Sequence, residues 1–310
     1  MSPDRARFSI GLIGAGRMGK AHLDAIEGSS TVVVSAVVDP SPEAREVALQ
    51  RDIPAFASID DLLNEGIVDG VLIAAPTDLH RALVEQAANA RVPILCEKPC
   101  GLSSDDARAC VRATSRWGVP LQIAYWRRYV LELQQLRDRI RSGELGEVLA
   151  VQSEQWDEFP PSAAFRARSG GIFVDMGVHE FDQIRWLTGR EFEALKAIVS
   201  RPEMEAPISS DVDCGQVLAS LSNGGTAHVS LGRWHDGGDT CVVEVFGTRG
   251  TARSRFLPAD GSDGVFKQAL RRQAEDFVRF ANGSSSLGAT GADGVIALSL
   301  AEQAGKDAGC

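Results

Sequence analysis

The six cysteines of this sequence are scattered, and no two of them form a CxxC pair. Zinc sites need cysteine or histidine ligands at close, repeated spacing, so this pattern argues against a structural metal site. We therefore expect no metal, and we expect buried free thiols in a reducing compartment. The cysteines are Cys96, Cys100, Cys110, Cys214, Cys241 and Cys310.

Long apolar runs and an excess of basic residues are also missing. No uninterrupted run approaches the roughly 18–20 residues that a membrane span needs, and no apolar segment precedes the first strand. The formal net charge of −10 argues against nucleic acid or an anionic membrane as the main partner, because both attract basic surfaces. We expect a cytoplasmic protein with no signal peptide.

The first third of the 310 residues alternates short apolar runs with helical patterns. This alternation is typical of a parallel, doubly wound sheet, so we predict an α/β Rossmann domain over residues 1–124. The predicted strands are 8–13, 31–39, 68–76, 93–99 and 119–125. The predicted helices are 17–27, 43–51, 59–64, 78–90 and 103–118.

The pattern changes after residue 124, where polar residues interrupt the strands. We predict an α+β domain over residues 125–310, with an open, mostly antiparallel sheet and helices on one face. Asn223-Gly224-Gly225 is a hairpin signal between two of its strands. The predicted strands are 146–157, 193–200, 215–222, 226–234, 240–247 and 251–257. The predicted helices are 130–142, 175–188, 266–281 and 292–308, with a loop at 283–294.

Gly14-Ala15-Gly16-Arg17-Met18-Gly19 follows a strand and opens a helix, and the next strand ends on Asp39. Strand, glycines, helix and acid together form the dinucleotide fingerprint. In it Gly14 permits a tight turn, Gly16 lets the backbone approach a pyrophosphate, and Gly19 packs helix on strand. Asp39 is placed to accept from both ribose hydroxyls and to repel a 2′-phosphate, which favours NAD over NADP. The alternative is that the glycines only make a tight turn.

The stretch PILCEKPCG (93–101) ends an apolar strand on Glu97 and Lys98. In doubly wound sheets ligands bind at the carboxyl ends of the strands, so Lys98 is a candidate for the cofactor crevice. Pro99 restricts the lysine to extended backbone. The alternative is a lysine that only reaches the surface.

Asp175, His179, Asp182 and Trp186 recur at spacings of four, three and four, which predicts one helical face. A carboxylate one turn from a histidine can orient the ring, and histidine can accept a proton near neutral pH. A core histidine with satisfied hydrogen bonds stays an equal alternative at this point. A metal pair is less favoured, because no second cluster of ligands accompanies it.

GAGRMGKAH (14–22), AAPTDLH (74–80), CEKP (96–99), YWRRY (125–129), DMGVHEFD (175–182) and FGTRGTAR (246–253) occur in that order. Together they resemble the glucose–fructose oxidoreductase/inositol dehydrogenase (Gfo/Idh/MocA) family over nearly the whole chain, with 170–189 most similar to its myo-inositol 2-dehydrogenase branch. The resemblance implies that Lys98, Asp175 and His179 are catalytic and that the Lys98–Pro99 bond is often cis. We predict cofactor binding by Gly14, Gly16, Arg17, Met18, Asp39, Thr77, His80, Glu97, Lys98, Trp126 and Arg127. We predict substrate binding by Lys98, Arg127, Asp157, Asp175, His179 and His235.

The expected activity is hydride transfer from a secondary alcohol of a cyclitol or sugar to NAD, with an inositol as the favoured substrate. His179 would remove the hydroxyl proton and Lys98 would stabilise the developing alkoxide. The alternatives are a dehydrogenase of another sugar (a hexose, a lactone precursor or an anhydrosugar) and a non-catalytic dinucleotide-binding regulator. Cys100 and the stretch 155–165 depart from the family pattern and leave the substrate open. The resemblance also implies a homo-oligomer, a dimer or tetramer formed through the second sheet.

Overall fold

The computed structural model describes residues 7–200, 211–257 and 263–310. Two compact units emerge from the contacts within the chain. The first comprises residues up to Gly101, Asp105–Trp126 and Lys267–Val295; the second comprises Leu102–Ser104, Arg127–Phe266 and Ile296–Cys310. The assignment of cofactor binding to residues 1–124, and of substrate binding and oligomerisation to 125–310, stays a prediction.

The secondary structure follows the predicted pattern closely. The strands are β1 Phe8–Ile13, β2 Val32–Val38, β3 Ala55–Phe56, β4 Gly70–Ile73, β5 Ile94–Cys96, β6 Leu121–Ile123, β7 Val148–Trp156, β8 Phe192–Ser200, β9 Cys214–Leu221, β10 Thr226–Gly232, β11 Thr240–Gly247, β12 Thr251–Leu257 and β13 Ala289–Thr290. The α-helices are α1 Arg17–Ile26, α2 Pro42–Leu49, α3 Ile59–Glu65, α4 His80–Asn89, α5 Ser104–Trp117, α6 Leu131–Arg141, α7 Ala163–Arg166, α8 Val178–Thr188, α9 Asp263–Ala281 and α10 Gly291–Ala308.

The sheet of the first unit has the order β13-β6-β5-β4-β1-β2-β3, in which every pair is parallel except β13–β6. The predicted doubly wound sheet is therefore confirmed. Strand order reverses between β1 and β4, and ligands bind at such a switch point, outside the carboxyl ends of the strands. The loops that follow β1, β4 and β5 all begin at this edge.

β13 and the end of β5 differ from the prediction. Residues 283–294 were predicted as a loop, but Ala289 and Thr290 pair with β6 and close that edge of the sheet. β5 ends at Cys96, so Lys98 lies two residues beyond the strand and not on it. The Lys98–Pro99 peptide bond is cis, as the family resemblance implies.

The core of the first unit is built from the fully buried β-branched and leucine side chains of the central strands. Phe277 on α9 joins this core and packs edge-on against Phe8, with ring centroids 6.1 Å apart. Residues late in the sequence therefore complete a core that begins with β1.

The sheet of the second unit has the order β12-β11-β7-β10-β9-β8. Its pairs are antiparallel except β7–β10, which confirms the predicted mostly antiparallel sheet. Asn223, Gly224 and Gly225 all have positive φ in the predicted β9–β10 hairpin. α8 packs on β7 and α6 packs on β12. Ile198 and Leu218 remain 70% and 64% exposed, at strand positions that alternate with the buried ones.

Within the part of the chain that the structure describes, none of the helices combines the length and the hydropathy of a transmembrane segment.

Candidate active site

Each of the three glycines in the loop between β1 and α1 occupies a different environment. Gly14 has φ +97°, and a Cβ added there would lie 2.7 Å from the carbonyl oxygen of Ala74. A Cβ on Gly19 would lie 2.0 Å from the carbonyl oxygen of Gly14, so helix and loop touch at this point. A Cβ on Gly16 would meet nothing within 4 Å, which leaves open space in front of the loop backbone. This is the arrangement that a dinucleotide pyrophosphate requires.

The N-terminus of α1 faces the same space. Gly16 is its N-cap residue and provides no side-chain hydrogen bond to the first turn. The first N–H groups of a helix have no intrahelical partner and bind anions well, because the helix dipole adds to their partial charge. Arg17 is exposed and Met18 half-buried in this turn, and their predicted cofactor contacts stay predictions.

Asp39 lies directly after β2, beside the glycine loop. Its Oδ2 accepts from the N–H of Ala15 and its Oδ1 from the N–H of Ser41, both at 2.9 Å. Arg45 donates from Nη1 to the carbonyl oxygens of Asp39 and Pro40 at 2.7 and 3.0 Å. A carboxylate oxygen can accept more than one hydrogen bond, so Asp39 retains capacity for a ribose hydroxyl. Loop, helix terminus and acid together fit a dinucleotide.

Glu97 and Lys98, in the segment after β5, differ in burial. Lys98 is half-buried, whereas Glu97 is 5% exposed. One Glu97 carboxylate oxygen lies 2.7 Å from Nε2 of His22, and the other accepts from the N–H of Lys98 at 3.1 Å. Both oxygens are therefore engaged by protein groups. The predicted cofactor contact of Glu97 stays a prediction.

Thr77 and His80 lie at the start of a short 3-10 turn, Thr77–Leu79, and of α4. Thr77 is half-buried, and His80 is 1% exposed. The His80 Nδ1 lies 2.7 Å from the carbonyl oxygen of Pro99, and Nε2 lies 2.8 Å from that of Ala75. The histidine thus joins the loop after β4 to the loop after β5.

Trp126 and Arg127 are both nearly fully buried. The Arg127 guanidinium donates to Glu180 at 2.5 Å, to Gln155 at 2.6 Å and to Gln183 at 3.3 Å. It is held by side chains of β7 and α8, and its predicted contacts with cofactor and substrate stay predictions.

The predicted single face of Asp175, His179, Asp182 and Trp186 is divided in the structure. Phe173–Gly177 forms a π-turn that contains Asp175, and His179 lies in the first turn of α8 with 6% exposure. Asp182 pairs bidentately with Arg128, and the Trp186 ring stacks under Arg137 at 4.6 Å. The spacing argument took 175–188 as one regular helix, and the π-turn breaks its period.

Asp175 forms an ion pair that the sequence analysis did not foresee. Nη1 of Arg233 donates to its Oδ2 at 3.0 Å, and Arg233 is fully buried directly after β10. The same guanidinium lies 3.7 Å from Asp157 and 3.3 Å from Asp211. A buried arginine is held by paired acids because an isolated charge there is strongly disfavoured. The only signal in the sequence was an arginine within the predicted strand 226–234.

The pKa of Asp157 is raised to about 6. Burial is the largest cause, the charges of Asp175 and Asp239 also raise the pKa, and the Arg233 guanidinium opposes them. Asp157 therefore changes charge close to neutral pH. Asp157 and Asp175 share Arg233 as a partner, and the predicted contact of Asp157 with substrate stays a prediction.

His235 contacts the backbone of its own loop. Its Nδ1 is 2.7 Å from the carbonyl oxygen of Gly238. The ring lines a cavity of about 750 Å³ with Trp156, Glu158 and Trp234. Its predicted contact with substrate stays a prediction.

Four of the six cysteines, Cys96, Cys100, Cys110 and Cys241, are buried, Cys214 is partly buried and Cys310 is exposed, all as free thiols. Desolvation raises the pKa of Cys96 and raises that of Cys241 to about 12. Among the described residues, no three His, Cys, Asp or Glu side chains gather in a way that could hold a metal ion.

Two family models match this chain. Residues 8–125 match the oxidoreductase family with the NAD-binding Rossmann fold, and residues 133–253 match the GFO/IDH/MocA C-terminal domain. The chain is 48% identical over 299 residues to the rhizopine catabolism protein MocA of Rhizobium meliloti, with 96% of this chain and 94% of that protein covered. The chain belongs to the Gfo/Idh/MocA oxidoreductase family.

Two further Gfo/Idh/MocA relatives are named for inositol. The inositol 2-dehydrogenase of Rhizobium meliloti (strain 1021) is 30% identical over 313 residues, which cover 95% of each chain. The crystal structure of a putative myo-inositol dehydrogenase from Sinorhizobium meliloti 1021 superposes with a TM-score of 0.91 at 30% identity, covering 97% of each chain. The predictions of the family, of the two-part α/β fold and of an oxidoreductase with an NAD-binding Rossmann domain are confirmed.

Proposed function

We propose that this enzyme is an NAD-dependent dehydrogenase that oxidises a secondary alcohol of a cyclitol, with an inositol as the favoured substrate. The observation that carries the proposal is that Lys98, Asp175 and His179 stand at the family's motif positions in a chain whose glycine loop is intact. A binding protein without turnover has no chemical need for a lysine, an acid and a histidine there. Relatives named inositol 2-dehydrogenase support the cyclitol.

The glycine loop, the open N-terminus of α1 and Asp39 are the groups that would hold the cofactor. Asp39 favours NAD over NADP, since its carboxylate repels a 2′-phosphate. Arg45 donates from Nη1 to the backbone carbonyl oxygens of Asp39 and Pro40. Among the other predicted cofactor ligands, Thr77 and Trp126 would border the nicotinamide. When bound, NAD supplies the acceptor for the hydride.

His179 accepts the hydroxyl proton in this proposal, and Lys98 donates to the hydroxyl oxygen as negative charge develops on it. Lys98 is half-buried, which strengthens such a charge interaction relative to water. The Asp175 carboxylate accepts a hydrogen bond from a neighbouring hydroxyl of the substrate. Arg233 orients that carboxylate by donating to Oδ2.

The charges of the second unit limit the substrate class. The acids Asp157, Asp175, Asp211 and Asp213 face two guanidinium groups, those of Arg166 and Arg233. The excess of carboxylates disfavours a phosphorylated or carboxylated sugar, because like charges repel strongly where water is partly excluded. A neutral polyol, or one with an amino group, fits this balance.

The remaining expectations concern assembly and location. We propose that the second sheet mediates a homodimer or homotetramer, since Ile198 and Leu218 are exposed on it. We also propose a cytoplasmic location without nucleic-acid or membrane partners, from the acidic net charge. Light scattering on the purified chain tests the assembly.

An assay of NAD reduction against a panel of polyols tests the proposal. The panel holds inositol isomers, an amino-substituted cyclitol, neutral hexoses, a hexose phosphate and a sugar acid. We expect turnover with a cyclitol and none with the two anionic compounds. If only a hexose is turned over, the substrate is a sugar and not a cyclitol. Binding of NAD without turnover of any compound would favour a regulator.

A further inference from the structure

Lys98 is bordered on both sides by residues that a buried histidine holds. His22 contacts Glu97, the residue before the lysine, and His80 contacts Pro99, the residue after it. His22 and His80 are 0% and 1% exposed, so neither ring meets solvent. All five residues belong to the first unit. Neither histidine has a part in the chemistry proposed above.

His22 links the glycine loop to Lys98 through one carboxylate. It lies on α1, the helix that begins at Gly16. Its Nε2 is 2.7 Å from one oxygen of Glu97, whose other oxygen accepts from the backbone N–H of Lys98 at 3.1 Å. A carboxylate held at both oxygens has little rotational freedom. The backbone of Lys98 is therefore tied to the phosphate-binding helix by two consecutive hydrogen bonds.

His80 makes the second link, and its two partners are both carbonyl oxygens. Nδ1 lies 2.7 Å from the oxygen of Pro99 and Nε2 lies 2.8 Å from that of Ala75. Ala75 borders the glycine loop, since a Cβ on Gly14 would lie 2.7 Å from its backbone nitrogen. A carbonyl oxygen can only accept, so the ring donates an N–H to at least one of the two carbonyl groups. The ring therefore joins the loop after β4 to the residue that directly follows Lys98.

We propose that His22 and His80 are positioning residues that fix Lys98 from both sides and couple its place to the glycine loop. This inference rests on the proposed role of Lys98 in turnover. An error of about 1 Å in the position of a catalytic group can lower turnover about a hundredfold. The pair of histidines would thus set the rate of the chemical step and leave NAD affinity largely unchanged.

Substitutions in the full-length enzyme separate positioning from general loss of stability. His22→Leu and His80→Leu keep the volume and remove the hydrogen bonds, whereas His22→Gln and His80→Gln each keep one side-chain N–H donor. We expect kcat to fall about 10- to 100-fold in the leucine variants and to recover partly in the glutamine variants. The dissociation constant for NAD should change less than about threefold, because the phosphate-binding groups stay in place.

Gln122→Leu is the matched control. Gln122 is 1% exposed on β6, and its amide donates to Ser286 at 2.7 Å. It should lose thermal stability as the histidine variants do, with little change in kcat. An equal loss of kcat in this control would overturn the positioning role.

Lys98→Ala separates this inference from the proposed function. If Lys98→Ala keeps its turnover, the proposed function fails; if it loses turnover while both leucine variants keep theirs, the positioning role alone fails.

Discussion

Arg233 donates a hydrogen bond to Asp175 at 3.0 Å from a fully buried position. The guanidinium also lies near Asp157 and Asp211, so three acids share this cation. Breaking a buried ion pair by removing one partner costs about 3–5 kcal/mol, because the other charge is left without compensation. Arg233 is therefore as important to the proposed site as the acids it holds.

Arg233→Met should lower the thermal midpoint strongly and abolish turnover, while Arg233→Lys should retain part of both, because an ammonium replaces the charge without the fork of the guanidinium. Calorimetry and the NAD reduction assay measure the two effects. Arg249→Met is a control, since Arg249 is an exposed arginine of the β11–β12 turn. If Arg233→Met were as active as the parent, Asp175 would need no orienting cation.

Asp157 predicts a pH dependence of stability. Its folded pKa of about 6 lies above its unfolded value of about 3.9, so between these pH values the folded state binds more protons than the unfolded state. The free energy of unfolding therefore falls as the pH rises from about 4 to about 6. Asp157 accounts for about 2–3 kcal/mol of this loss. In Asp157→Asn this contribution disappears, so the thermal midpoint of the variant should fall less than that of the parent over this range. Parallel curves for the two proteins would contradict the shift.

The glycine loop offers a matched pair of substitutions. Gly19→Ala places a Cβ 2.0 Å from the oxygen of Gly14, so it should lower the thermal midpoint as well as NAD binding. Gly16→Ala meets no atom within 4 Å and has an extended backbone, so it should leave the midpoint unchanged and weaken NAD at least tenfold. Calorimetry and NAD titration distinguish them. Tight NAD binding by Gly16→Ala would show that the pyrophosphate lies elsewhere.

Asp39→Ala should weaken NAD and reduce the preference over NADP, because the carboxylate that repels the 2′-phosphate is gone. The ratio of kcat/KM for the two cofactors measures this. Ser41→Ala is the control: Ser41 caps α2 through Ala44, and its loss disturbs the same region without removing the carboxylate. An unchanged ratio in Asp39→Ala would argue against the ribose contact.

Lys98→Ala should abolish turnover and leave NAD binding within a few-fold of the parent, since the lysine acts on the substrate oxygen. Steady-state kinetics and NAD titration on the same preparation test both halves. Lys196→Ala is the control, because Lys196 is an exposed residue of β8 that pairs with Asp307 of α10. Comparable turnover in Lys98→Ala would refute the role of the lysine.

The glycine loop could be predicted from the sequence because its physical demands are local. A positive φ at Gly14 and a close approach at Gly19 are met within a few consecutive residues, so the spacing alone carries the information. Asp39 was found for the same reason, as the end of the strand that follows. The hairpin at Asn223 is equally local.

Arg233 could not be predicted in the same way, because its partners Asp157, Asp175 and Asp211 come from segments far apart in the sequence. His235, from the same segment, was predicted on residue type, and its ring lies beside the Gly238 carbonyl in the structure. The π-turn before α8 likewise has no signal in hydrophobic spacing, so Asp175 was placed on a regular helix.

The strand Ala289–Thr290 and the Phe277 ring have a consequence for how the protein is made. Both complete the first unit, yet the ribosome reaches them after almost all of the second unit has been synthesised. Domains commonly fold during translation, at about 5–20 residues per second. Here the outer edge of β6 stays unpaired in the nascent Rossmann segment until the last tens of residues emerge.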